Sequence, residues 1–128
     1  MSNKTVLIIE DNEQNLYLMR FLLEKSGFAV VDAADGPKGI QTARTLLPDL
    51  ILLDIQLPFM DGYEVASELR KHKALESTPI IAVTSYAMPG DRERALSSGA
   101  SDYIEKPINP FTFVEQVCRH LNAAGSAQ

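Results

Sequence analysis

One cysteine and no tryptophan occur among the 128 residues. Cys118 alone cannot close an internal disulfide, so the core has to hold the fold, and a lone thiol fits a reducing compartment. The opening Met-Ser-Asn-Lys-Thr is not followed by the apolar stretch of a signal peptide, and no run is long enough to cross a bilayer. The expected setting is therefore the cytoplasm, without membrane insertion. Cationic side chains are the minority, 12 Lys and Arg against 17 Asp and Glu, for a net charge of -5. Non-specific nucleic-acid binding runs on a basic surface, so direct DNA binding is not expected. Disorder is excluded as well, because 45% hydrophobic residues with 23% charges of mixed sign can bury a core. Low-complexity segments, repeats and interior linkers are absent, and a chain of this size buries roughly two-thirds of its unfolded surface. The expectation is a single domain over residues 1–128, with a core about 5–122 and loose ends at 1–3 and 123–128.

The apolar residues are arranged in five strand-helix pairs. Thr5 to Ile9 is a short apolar run, and Leu16, Met19, Leu22 and Leu23 then recur at helical spacing up to Gly27. Phe28 to Ala33 forms the second run. A helix follows to Leu47, with Asp35 as cap, Pro37 in the first turn and Pro48 as stop. Leu50 to Leu53 is apolar on both faces, the mark of a parallel strand covered by helices, and Gly62 to Lys71 supplies the next helix. Ile80 to Val83 repeats the pattern. Asp91 to Ser98 reads as a weakly amphipathic helix anchored only by Ala95 and Leu96, with Gly99 ending it. A strand at Asp102 to Ile104 and a helix after Asn109-Pro110 close the chain, the helix with a core stripe of Phe111, Val114, Val117 or Cys118, and Leu121. Five such pairs force right-handed crossovers and a parallel sheet between helices, an α/β fold.

Ligands of open parallel sheets bind beyond the carboxyl ends of the strands. Glu10 and Asp11 follow the first strand, Asp54 the third, Thr84 and Ser85 the fourth, and Lys106-Pro107 stands just past the fifth. Neighbouring strands lie about 4.8 Å apart, so three carboxylates at one rim would repel unless a cation sat among them. Hard oxygen donors favour Mg²⁺, which takes carboxylates, a carbonyl, waters and a phosphoryl oxygen. A hydroxyl from Thr84 and an ammonium from Lys106 complete a site in which a carboxylate attacks phosphorus to give an aspartyl phosphate. Taken singly, the acidic pair reads as a helix-dipole complement, Asp54 and Thr84 as turn residues, and Lys106 as a solvated charge. Their joint placement after four apolar runs reverses those odds.

Val-Leu-Ile-Ile-Glu-Asp-Asn at 6–12, Pro-Asp-Leu-Ile-Leu-Leu-Asp-Ile-Gln-Leu-Pro-Phe-Met-Asp-Gly at 48–62, Pro-Ile-Ile-Ala-Val-Thr at 79–84 and Gly-Ala-Ser-Asp-Tyr-Ile-Glu-Lys-Pro at 99–107 together make the chain resemble a response-regulator receiver domain. Within that family it resembles stand-alone, cell-cycle-type regulators and the receivers of hybrid kinases. The resemblance implies a doubly wound, flavodoxin-like (βα)5 fold with strand order 2-1-3-4-5. It also implies that Asp54 is the phosphoacceptor, that Glu10, Asp11 and the Gln56 backbone carbonyl help hold Mg²⁺, and that Lys106 pairs with the phosphate. Thr84 becomes the switch hydroxyl, Tyr103 the aromatic that changes rotamer, and Lys106-Pro107 a cis peptide. Glu10 departs from the Asp often found first in the acidic pair. The implied partners are a histidine kinase or histidine phosphotransfer protein and a downstream protein target. With about one helix after Lys106, no effector domain is expected, and output is a change in protein contacts across the fourth helix, fifth strand and fifth helix.

On the first helix, Tyr17 and Phe21 lie opposite the Leu16, Met19, Leu22, Leu23 face, so they are expected to be exposed and to help dock the phosphodonor, as is Pro107. Their alternative is packing under the fifth helix. His72 and His120 stand at no strand end and read as solvated. Tyr86, two residues after Thr84, is a candidate gate on hydrolysis. A phosphohydrolase would want a second acid two residues after its nucleophile, where this chain has Gln56, and it lacks a substrate-cap insertion. A flavin or nucleotide binder would not place Glu10-Asp11-Asn12-Glu13 where a phosphate must sit. A phosphorylation-independent interaction module leaves the full Asp, Thr and Lys set unexplained.

Overall fold

The computed structural model describes residues 4–85 and 89–126, with side chains through Leu121. Five parallel strands, β1 (Thr5–Ile9), β2 (Ala29–Ala33), β3 (Leu50–Asp54), β4 (Ile80–Thr84) and β5 (Asp102–Glu105), form a sheet in the order β2-β1-β3-β4-β5. The helices are α1 (Glu13–Lys25), α2 (Gly36–Leu46), α3 (Gly62–Lys71), α4 (Asp91–Ser98) and α5 (Phe113–Ser126), with a 3-10 turn at Lys73–Leu75 before β4. The expected flavodoxin-like α/β fold is the one observed.

Alternation along the central strands divides the core into layers. Val6, Ile8, Leu50, Leu52, Ile81 and Val83 face Met19 and Leu23 of α1 and Phe113, Val117 and Leu121 of α5. Leu7, Ile9, Ile51, Leu53 and Ile80 face Ile40, Ala43, Val65 and Leu69 of α2 and α3. A smaller group, Ile55, Ala82, Ala95 and Ala100, is covered by Tyr63 and Tyr103 beside α4. Burial on both faces is why these strands read as unbroken apolar runs.

The helices begin where the strand-end loops leave off, and side chains fix those starts. Asn12 and Asp35 accept the backbone N–H groups of Asn15 and Lys38, and Asp61 and Glu64 form a reciprocal capping box at α3. Helix α4 starts on Gly90, which has a φ of 91° and offers no side-chain cap.

Two expectations change. The last helix starts at Phe113, because Asn109 closes a turn first: its side chain accepts the Phe111 N–H and its carbonyl accepts those of Thr112 and Phe113. Phe111 is consequently 91% exposed, and Phe113, Val117 and Leu121 form the buried stripe, with Val114 and Cys118 packed partly against it. His120 is not simply solvated. Its Nε2 lies 2.7 Å from Asp102 Oδ2, which also accepts from Gln116 Nε2 at 3.1 Å, because α5 crosses the start of β5. Burial raises the Asp102 carboxyl, but these hydrogen bonds and the Tyr103 backbone N–H outweigh it and hold the group below its ordinary value.

Gly62 joins the fold to the strand-end loop. Its N–H donates to the Ile55 carbonyl at 2.8 Å, and an added Cβ would stand 2.5 Å from Ile55 Cα and 2.7 Å from the Asp54 carbonyl oxygen. Both are backbone atoms with little room to yield. Gly62→Ala is expected to destabilise the fold by about 1–3 kcal/mol, measured by urea denaturation. An unchanged midpoint would mean that the loop after Asp54 is not held by this contact.

Candidate functional site

Parallel pairing aligns the strand ends and so gathers the polar residues. Ile9 pairs with Leu53 and Asp54 with Val83, which sets Glu10 beside Asp54 and Thr84 one strand further along. Thr84 pairs with Glu105, and its carbonyl accepts the Lys106 N–H at 2.7 Å, bringing Lys106 to the same rim. The Lys106-Pro107 peptide is cis.

Glu10, Asp11 and Asp54 offer carboxylate oxygens within 4.8 Å of one another. Glu10 and Asp54 are buried and Asp11 is exposed. Lys106 Nζ stands 3.0 Å from Glu10 Oε1 and 3.5 Å from Asp54 Oδ2, with its side chain only 8% exposed. Asp54 Oδ1 accepts the Gln56 N–H at 3.0 Å, and Glu10 Oε2 accepts the Asn12 N–H at 3.1 Å. One acceptor, Glu10 Oε1, is buried with Lys106 as ion-pair partner but without an aligned hydrogen bond. Burial, and then the Asp54 charge, push the Glu10 carboxyl up to about 7 against the opposing pull of Lys106. A surplus of buried negative charge with an under-coordinated oxygen fits a hard divalent cation.

The remaining sequence-derived residues take distinct places. Gln56 Oε1 accepts the Ser85 N–H at 3.4 Å, joining the loops after β3 and β4. Thr84 is buried at the end of its strand. Tyr103 packs, with Tyr63, against the group formed by Ile55, Ala82, Ala95 and Ala100 beside α4, on the sheet face opposite Ile104 rather than under the last helix. Tyr17 and Phe21 are exposed, 72% and 49%, with ring centroids 6.3 Å apart, and Lys25 Nζ sits 5.8 Å from the Phe21 centroid. Pro107 is exposed on the loop after β5, and Tyr86 falls outside the described residues. In α4 only Ala95 is buried, while Leu96 is 37% exposed, so the helix has one of the two expected apolar anchors.

Sequence reasoning missed one residue that ties the fold together at the amino ends of β4 and β5, the rim opposite the site. Arg70, in the last turn of α3, donates to the carbonyls of Gly99, Leu75 and Thr78 at 2.9, 2.8 and 2.6 Å, joining α3 to the ends that flank β4 and β5. An arginine at a helix end carries no sequence mark of such a role.

A family model described as the response regulator receiver domain matches residues 6–118. The polar-differentiation response regulator DivK of Brucella ovis is 44% identical over 121 residues, which cover 94% of this chain and 98% of that protein. Among solved structures, a CheY-like receiver domain protein from Methanospirillum hungatei superposes with a TM-score of 0.91 at 31% identity, covering 99% of this chain and 100% of its own. The receiver domain of a sensor histidine kinase from Pseudomonas aeruginosa, with a magnesium ion coordinated in its active-site cleft, gives 0.87 at 33% identity, covering 94% and 99%. Among the described residues, no helix is long and apolar enough to cross a membrane.

Proposed function

The chain belongs to the response regulator receiver domain family of two-component signalling, and from that premise we propose that Asp54 accepts a phosphoryl group from a partner's phosphohistidine. The partner is a histidine kinase or a histidine phosphotransfer protein. The supporting observation is the convergence of Glu10, Asp11, Asp54 and Lys106 at the carboxyl ends of β1, β3 and β5, with Lys106 Nζ 3.5 Å from Asp54 Oδ2.

An Asp54 carboxylate oxygen attacks phosphorus in line as the P–N bond to imidazole breaks. The bonding pair leaves with the imidazole, and the aspartyl phosphate remains. Glu10, Asp11, Asp54 and the Gln56 backbone carbonyl would hold Mg²⁺, which supplies positive charge to the phosphoryl oxygens. Lys106 pairs with one phosphoryl oxygen and the Thr84 hydroxyl donates to another. Thr84 moves toward the new oxygens, Tyr103 fills the space it leaves, and the surface of α4, β5 and α5 changes for a downstream protein target. A cavity of about 620 Å³ opens there, lined by Arg92, Tyr103, Glu105, Pro107, Thr112 and Gln116 among others. Tyr17, Phe21 and Pro107 are assigned to docking the donor. On this reading the chain is one receiver domain acting in the cytoplasm, a switch that catalyses only its own phosphorylation and dephosphorylation.

Incubation with Mg²⁺ and acetyl phosphate, followed by intact mass, tests the reading. A single phosphoryl addition is expected, lost on chelation of the metal. No addition under conditions where a known receiver responds overturns acceptance from a small donor and turns the assignment toward an interaction module.

A further inference from the structure

Helix α4 is held unevenly. Its far end is tied to α3, where the Ser67 hydroxyl donates to the Ser98 carbonyl at 3.3 Å and Arg70 Nε donates to that of Gly99 at 2.9 Å. Nearer its start, the Arg94 guanidinium carbon stands 4.0 Å from the ring centroid of Tyr63. Tyr63 follows Gly62, which is locked against Ile55, the residue after Asp54. The Tyr63 ring also packs with Tyr103 against Ile55, Ala82, Ala95 and Ala100. One aromatic thus touches the phosphoacceptor loop, the group containing the switch tyrosine, and α4.

We propose that the Tyr63–Arg94 stack is a clasp that holds α4 in its unphosphorylated arrangement and opens when Asp54 is phosphorylated. Tyr63 and Arg94 are then positioning residues for the switch, an assignment that rests on the Asp54 reading. Thr84 ends β4, whose Ala82 packs with Ala95 of α4, so drawing Thr84 toward a phosphoryl group shifts the strand end on which α4 rests, whereas Tyr63 stays with α3, fixed by its capping box and by Gly62. A contact between an element that moves and one that does not belongs to one state only, so its energy enters the equilibrium between states. A cation–π contact of this kind shifts such an equilibrium by a factor of roughly 2 to 30.

The test compares wild type with Tyr63→Leu, Arg94→Met, the double variant and Tyr63→Phe. Amide exchange of residues 91–98 is measured in the unphosphorylated protein, and the rate of Mg²⁺-dependent uptake from acetyl phosphate is followed by intact mass. Both single variants are expected to speed α4 exchange roughly 3- to 10-fold and uptake about 2- to 5-fold. The double variant should go no further than the singles, and Tyr63→Phe should behave as wild type because the ring carries the stack. Unchanged α4 exchange overturns the clasp. So does faster exchange with unchanged or slower uptake, which reduces the contact to a structural prop. Absence of uptake in every protein, wild type included, overturns small-donor phosphorylation at Asp54 and the clasp that rests on it, whereas normal uptake by wild type with unaltered variants overturns the clasp alone.

Discussion

Asp54→Asn is expected to abolish phosphoryl uptake while making the metal-free protein more stable. The functional half follows from the proposed role of Asp54 as nucleophile, since an amide oxygen does not take the place of a carboxylate in attack on phosphorus, and the loss is on the order of 10³-fold or more. The stability half follows from Glu10. In the folded protein its carboxyl is raised from 4.5 to about 7, with burial the first cause and the Asp54 charge the second. Below about pH 4.5 Glu10 is protonated folded or unfolded and contributes no penalty. As pH rises from there to about 7, the unfolded chain releases its proton while the folded one retains it, so stability falls and then levels off. Asparagine removes the neighbouring charge yet keeps an oxygen to accept the Gln56 N–H. The expected gain is about 0.5–2 kcal/mol at pH 8, shrinking toward zero near pH 4, in urea denaturation without Mg²⁺. Stabilisation by added Mg²⁺ should be smaller in the variant than in wild type, because one of the three carboxylates is gone. Retained uptake would move the acceptor elsewhere, and a loss of stability at pH 8 would show that the carboxylates do not oppose one another.

The parts of this site legible in the sequence are those that depend on chain direction and burial. Asp54 and Thr84 end unbroken apolar runs, and Lys106 stands one residue beyond β5, so a parallel sheet brings them to one rim whatever their neighbours are. Tyr17 and Phe21 were placed outside by the turn of a helix, which requires no knowledge of what lies across from it. What escaped depends on geometry set by a partner. Phe111 and Phe113 are two residues apart, and only the turn closed by Asn109 decides which of them enters the core. His120 looked solvated because nothing near it in the chain announces Asp102, eighteen positions away. The reach of Glu10 was also hidden. A side chain one methylene longer than Asp meets Lys106 directly, so the ammonium is engaged before any phosphate arrives.

That engagement makes Lys106→Met the mirror image of the asparagine variant. Lys106 Nζ is the positive group between two buried carboxylates, 3.0 Å from Glu10 Oε1 and 3.5 Å from Asp54 Oδ2. Methionine fills comparable space but leaves those carboxylates facing each other without a counter-charge. Removing one partner of a buried ion pair typically destabilises by about 3–5 kcal/mol, and that loss is expected at pH 8 in the absence of Mg²⁺. Because Lys106 pulls the Glu10 carboxyl down, its removal drives that group further up, and the extra penalty has to appear on the alkaline side. The deficit should therefore shrink as pH falls toward 5, where Glu10 takes up a proton, and should shrink at pH 8 when Mg²⁺ is added. Phosphoryl uptake from acetyl phosphate should fall about 10²- to 10³-fold, the usual consequence of removing one preorganised positive or hydrogen-bonding group from a transition state. Asp54→Asn and Lys106→Met thus lose the same activity with opposite effects on metal-free stability at pH 8. A common loss of stability would assign both residues to packing. Opposite signs, with both differences collapsing at low pH, require that the site be held by the balance of charge between them.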